Sequence, residues 1–129
     1  MKTITTWKTG QAFDSSYKHS KIEVDGKEGF SPKALLLTGL AACSGIDVVD
    51  ILEKMRVPFA SLEIEVETTQ TEDHPRVFKD IHILYKVKME EDHKDKLRKA
   101  IDLSLDKYCG VAAMLKKNSK IHYEIHITE

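Results

Sequence analysis

The chain has 129 residues, 20 basic and 21 acidic, for a net charge of −1. That length makes one domain with a real core. The even mixture of charges gives no electrostatic case for nucleic acid or an anionic membrane surface as partner. The start, Met1-Lys2-Thr3-Ile4-Thr5-Thr6-Trp7, lacks the apolar segment of a secretory signal. A cytoplasmic, reducing location is therefore expected, with Cys43 and Cys109 as free thiols or a reactive pair rather than a structural disulfide. No CxxC spacing points to zinc.

The first thirty residues read as a β-meander. Thr3–Trp7 and Ala12–Tyr17 are β-prone, with Gly10 between them at turn distance. Ile22-Glu23-Val24 alternates and runs into the turn signal Asp25-Gly26. Ser31 is an apt N-cap and Pro32 an apt first residue for a helix to about Met55. From Ala34 to Ile46 this helix carries no charge, a run of thirteen residues, against the ~18–20 a bilayer span needs. It reads as a long, buried central helix with Cys43 in its middle, among Gly39, Ala41, Ala42, Ser44 and Gly45. Small residues there permit close approach of another backbone or a small ligand.

Val57-Pro58 stops the helix. Leu62–Thr68 alternates strictly, and so does Ile81–Met89 in a strand that begins at Val77. The polar stretch from Thr69 to Arg76 between them is a loop. The two strands are expected to be antiparallel neighbours, with glutamates of one facing lysines of the other. Glu90–Lys107 is an amphipathic helix whose apolar stripe is Leu97, Ile101 and Leu105, joined by Ala100 and Tyr108. A break near Cys109 puts that thiol at the start of a short second helix, which Asn118 ends. There the helix dipole and free N–H groups favour thiolate. Ile121–Ile127 is a last alternating strand. The order is that of an α+β domain spanning 1–129: meander, central helix, antiparallel sheet, late helix pair and final strand. A helix apolar all round needs more cover than one small sheet and two helices supply, so a homodimer is expected.

Two thiols, one in a small-residue helix and one at a helix start, suit a peroxidatic and resolving pair. A buried cysteine is also an ordinary small core residue. His122, Glu124 and His126 share a strand face with His82 near by, and read as a solvated face rather than a metal site. Tyr85 and Tyr123 read as sheet–helix packing.

The run from Ser31 through Pro32-Lys33-Ala34-Leu35-Leu36-Leu37-Thr38-Gly39-Leu40-Ala41-Ala42 to Cys43 resembles the signature of the OsmC/Ohr family. Tyr108-Cys109-Gly110-Val111 resembles that family's second cysteine motif, and the resemblance covers essentially the whole chain. It implies an intertwined α+β homodimer and a thiol peroxidase that reduces organic hydroperoxides without metal or other cofactor. Cys43 would be oxidised to a sulfenic acid, Cys109 would condense with it, and an external dithiol, lipoyl-type in the better-known branch, would reduce the disulfide. Two positions depart from the peroxidase branches. Their glutamate after the helix-starting proline is Lys33 here. Their N-terminal arginine has no counterpart, because Arg56, Arg76 and Arg98 all follow Cys43. Lys18, Lys21, Lys33 and His19 are the candidate stand-ins. The chain is thus more similar to a divergent, YhfA-type branch. An alternative on the same fold is a slow redox sensor or non-catalytic dimer that holds a small apolar ligand.

Overall fold

The computed structural model describes all 129 residues, as six strands and three α-helices. It separates into two compact units, residues 1–37 and 38–129. The first holds the meander: β1 (Ile4–Thr9), β2 (Ala12–Tyr17) and β3 (Ser20–Asp25), in the order β1-β2-β3 and antiparallel throughout. Gly10, at φ 54°, makes the first turn, where the Trp7 indole N–H donates to its carbonyl at 2.9 Å. All of β1 is exposed, Trp7 included, so neither Trp7 nor Ile4 fills a core in this unit.

The central helix α1 spans Pro32–Lys54. Ser31 caps it as the sequence predicts, its hydroxyl accepting from the Ala34 N–H at 3.2 Å. Its end comes slightly before Pro58. Arg56 takes a left-handed conformation (φ 58°) and the Val57 N–H donates back to the Leu52 carbonyl at 2.9 Å, a Schellman-type closure. By length and hydropathy α1 is apolar enough to cross a membrane, but Asp47 and Asp50 interrupt its second half. Within one chain a single stripe is covered: Leu40, Ser44, Val48 and Leu52. Ile46 and Val49 stay exposed.

In residues 38–129 a second sheet has the order β4-β5-β6: β4 (Ser61–Gln70), β5 (Phe78–Lys88) and β6 (Ile121–Thr128). Alternation sorts each strand into two faces. Ile81, Ile83, Tyr85 and Val87 of β5 are buried, flanked on the same face by Leu62, Ile64 and Val66 of β4 and by Tyr123 and Ile125 of β6. On the wet face Lys86 sits between Glu63 and Glu65, at 3.5 and 3.1 Å, as the expected cross-strand pairing requires. β4 and β5 are antiparallel, but β6 joins β5 in parallel, so the sheet is mixed rather than wholly antiparallel. The reason is the connection. A parallel return needs a crossover of a dozen or more residues, and the late helices supply it.

That crossover is α2 (Lys94–Leu103), a π-helical turn (Ser104–Tyr108) and α3 (Gly110–Leu115). Leu97, Ala100 and Ile101 are buried as expected. The π turn inserts one residue into the helical count, closing with the Cys109 N–H on the Ser104 carbonyl at 2.7 Å. Ser104 and Leu105 are therefore both buried, and Tyr108, expected on the apolar stripe, swings out to 54% exposure. Asn118 ties the end of the crossover to β5, donating to the Phe78 carbonyl at 2.9 Å.

Leu97 is fully buried on α2. Leu97→Ala leaves a cavity in the middle of this core and is expected to lower unfolding stability by ~2–5 kcal/mol, read from urea denaturation.

Candidate active site

Cys43 lies in the middle of α1 because the uncharged, small-residue half of that helix carries it beside the buried stripe. It is partly exposed, and Cys109 is 2% exposed. Cys109 is the N-cap of α3, with extended backbone (φ −77°, ψ 102°) and its sulfur accepting from the Ala112 N–H at 3.3 Å. The two motifs, 66 positions apart in sequence, are brought near enough for the Cys43 thiol to raise that of Cys109. Both are free thiols.

The helix start was expected to favour thiolate at Cys109. Burial outweighs it. Desolvation first, and the Cys43 thiol second, push the Cys109 thiol from 9.0 up to about 11, against the smaller lowering by the Ala112 N–H. The nearby carboxylate of Asp47 pushes the same way. A six-residue helix presents only a few aligned peptide dipoles, too little to offset burial among side chains.

Beneath the thiols runs a chain of hydroxyls that sequence reading did not single out. Tyr85, fully buried on β5, bonds to Ser44 Oγ of α1 at 2.6 Å. Ser104 Oγ, on the π turn, is 3.0 Å from Ser44 Oγ and 2.9 Å from Asp47 Oδ2. Ser44 and Ser104 are themselves fully buried. Helical spacing carried the available signal: Asp47 stands one turn after Cys43, and Ser44 and Ser104 each take a place on an apolar stripe. A buried serine is costly without partners, and here each finds them. Tyr85 is raised to about 12, chiefly by burial. Its ring also meets Tyr123 edge-on at 5.9 Å, and Tyr123 donates to Asp102 at 2.6 Å, so both tyrosines join sheet to helix as expected.

The four cationic candidates belong to the other compact unit. Lys21 pairs with Asp14 at 3.4 Å, and Lys18 lies over the Tyr17 ring at 5.3 Å. His19 is exposed in the β2–β3 turn, and Lys33 is in the first turn of α1. On the wet face of the mixed sheet His82 and His122 stack at 5.2 Å and His122 faces Asp80 at 3.5 Å. No group of three His, Cys, Asp or Glu side chains converges to hold a metal.

Along the opposite side of α1 an open groove of about 820 Å³ runs between the helix and β4, an edge strand. Ala42, Gly45, Ile46 and Val49 form one wall and Leu62 and Ile64 the other. Helix and strand pack closely at Gly45, where a Cβ would come to 3.0 Å from Ile64 Cδ1 and push that side chain aside. Neither thiol lines this groove.

Residues 24–124 match the family model described as OsmC-like protein. The chain belongs to the OsmC-like family. Among its relatives is the protein YhfA of Escherichia coli K12, 33% identical over 132 aligned positions covering 98% of each chain. A solved structure from Aquifex aeolicus VF5 is 31% identical, with a TM-score of 0.86 over 99% of this chain and 97% of that one. The organic hydroperoxide resistance protein OhrB of Bacillus subtilis shares the fold at 18% identity and TM-score 0.66, over 96% of each chain. The family fold is therefore the one expected from the two cysteine motifs.

The raised groups set an alkaline limit on stability. Cys109 moves from 9.0 to about 11 and Tyr85 from 10.0 to about 12 on folding, so each favours the folded state in its neutral form. Their contribution is complete below pH 9 and is lost as pH rises through about 11 and 12. The melting temperature is expected to fall between pH 9 and 12, and less steeply in Cys109→Ser, as read by thermal melts across that range.

Proposed function

We propose that this protein is a cofactor-free, two-thiol peroxidase acting on organic hydroperoxides, with Cys43 as the attacking sulfur and Cys109 as the resolving one. The observation that carries this reading is the approach of the two thiols, close enough to act on one another, from the middle of α1 and the start of α3. With Cys109 buried and Cys43 partly exposed, Cys43 is the sulfur within reach of substrate. The Cys43 thiolate attacks the distal peroxide oxygen. The S–O bond forms, the O–O bond breaks, and the alcohol leaves with the proton that Cys43 gave up. Cys43 is then a sulfenic acid, two electrons more oxidised. Cys109 attacks it, the S–S bond forms, and water departs. An external dithiol restores both thiols by exchange.

The family membership and the likeness of fold to an organic hydroperoxide resistance protein support the substrate class. Lys18, Lys21, His19 and Lys33 are the proposed stand-ins for the missing N-terminal arginine. A second copy of the chain is the proposed cover for the exposed Ile46 and Val49 of α1, in a cytoplasmic homodimer. The groove beside Ile46 also favours a second reading, in which it holds a small apolar ligand and the thiols act only as a slow redox sensor.

The test is consumption of cumene hydroperoxide with dihydrolipoamide as reductant. Turnover is expected for the unaltered protein, and its loss in both Cys43→Ser and Cys109→Ser. No turnover, with both thiols still titratable after peroxide, overturns the peroxidase and favours the ligand-binding reading.

A further inference from the structure

We infer that Asp47 is the proton acceptor for the resolving thiol, taking the Cys109 proton as the disulfide forms and handing it to the departing hydroxide. This rests on the two-thiol reading above. The geometry behind it is the double role of Ser104. Its carbonyl holds the Cys109 N–H at 2.7 Å, and its hydroxyl reaches Asp47 Oδ2 at 2.9 Å. One residue of the π turn therefore fixes both the resolving cysteine and the carboxylate. Asp47 also stands at i+4 from Cys43 on α1, a spacing that puts two side chains side by side, about 5–6 Å apart at Cβ. The carboxylate is thus held by the same residue that holds the Cys109 backbone, and it shares a face of α1 with Cys43.

The chemistry needs such a group. A thiol raised to about 11 is thiolate in only ~1 molecule in 10⁴ at pH 7. Resolution has to form the Cys43–Cys109 bond, break the S–O bond of the sulfenic acid, remove a proton from Cys109 and place one on hydroxide. A carboxylate tethered to the Cys109 turn through Ser104, acting directly or through one water molecule, performs the last two moves with one proton, and no further reactant is consumed.

Ser104 has one hydroxyl hydrogen and two acceptors in range, Asp47 and Ser44 at 2.9 and 3.0 Å. While Asp47 is ionised the hydrogen goes to the carboxylate, the stronger acceptor. When Asp47 holds the proton, it donates to Ser104, whose hydrogen turns to Ser44, and Tyr85 bonds with Ser44 in turn. The three contacts of the chain place all three hydroxyl hydrogens while Asp47 is ionised, and the fourth hydrogen that protonation adds leaves again with the hydroxide.

Asp47→Asn tests this, because its amide oxygen still accepts from Ser104 and the fold is kept. Reduced protein is mixed with cumene hydroperoxide, and sulfenic acid is trapped with dimedone and disulfide counted by mass spectrometry. The expected result is sulfenic acid formation within about threefold of the unaltered protein and disulfide formation slowed ~10²–10³-fold. The slowed step should quicken about tenfold per pH unit from 7 to 9, as hydroxide replaces the acceptor, and formate should restore part of it. Ser104→Ala, which keeps the carboxylate but frees it, should fall between. Disulfide formation within threefold of normal in Asp47→Asn overturns the inference. So does an equal slowing of both steps, or a slowed step indifferent to pH and formate, since each marks a structural role. Failure of the unaltered protein to form either sulfenic acid or disulfide overturns the two-thiol reading itself and this inference with it.

Discussion

Ser104 is the joint on which the candidate site depends. It sits on the π turn of the late helices, and that departure from α-helical geometry gives it two jobs. The widened turn aims its carbonyl at the Cys109 N–H and its side chain at α1. An unbroken α-helix through this point would bond the Cys109 N–H to Leu105 instead and would keep Tyr108 on the apolar stripe. The extra residue costs a regular hydrogen bond and exposes an aromatic ring, but it turns the chain so that Cys109 can cap the next helix. Lys116, which closes that helix, reaches back to the Leu105 carbonyl and to Asp106, tying the turn from the other side.

The polar chain from Tyr85 through Ser44 to Ser104 and Asp47 is an economical way to hold three elements at fixed depth. Apolar packing alone tolerates sliding, because dispersion has no direction. A 2.6 Å hydroxyl contact between α1 and β5 does not tolerate it, since a buried oxygen left without its partner costs ~1–3 kcal/mol. Strand, central helix and π turn are therefore locked in one register, and the two sulfurs with them.

Much of this was legible in the residues. Strict alternation gave the strands of the mixed sheet, Ser31-Pro32 gave the start of α1, and the two cysteine motifs gave the family. Three things were hidden. The parallel placement of β6 follows from where the crossover sets the chain down, which no local pattern in Ile121–Ile127 encodes. The π turn is invisible because Leu97, Ile101 and Leu105 fit an ordinary helical repeat as well. The raised Cys109 thiol reverses a helix-start argument that is sound in itself, because burial of the sulfur, a tertiary property, exceeds the dipole of a six-residue helix. Asp47 and Ser104 were present as letters but carried no motif. Only their meeting across 57 positions gives them a role.

The depth of Cys109 has a further consequence, for what the protein avoids. Disulfide exchange requires three sulfurs nearly in line, so a sulfur 2% exposed cannot meet one carried by another macromolecule. Cys43, on the more open side, can. Any adduct with a foreign thiol must therefore form at Cys43, with Cys109 near by as the proposed resolving thiol. On the two-thiol reading proposed above, a mixed disulfide is therefore self-clearing, which would guard the protein against being cross-linked to its neighbours under oxidising conditions.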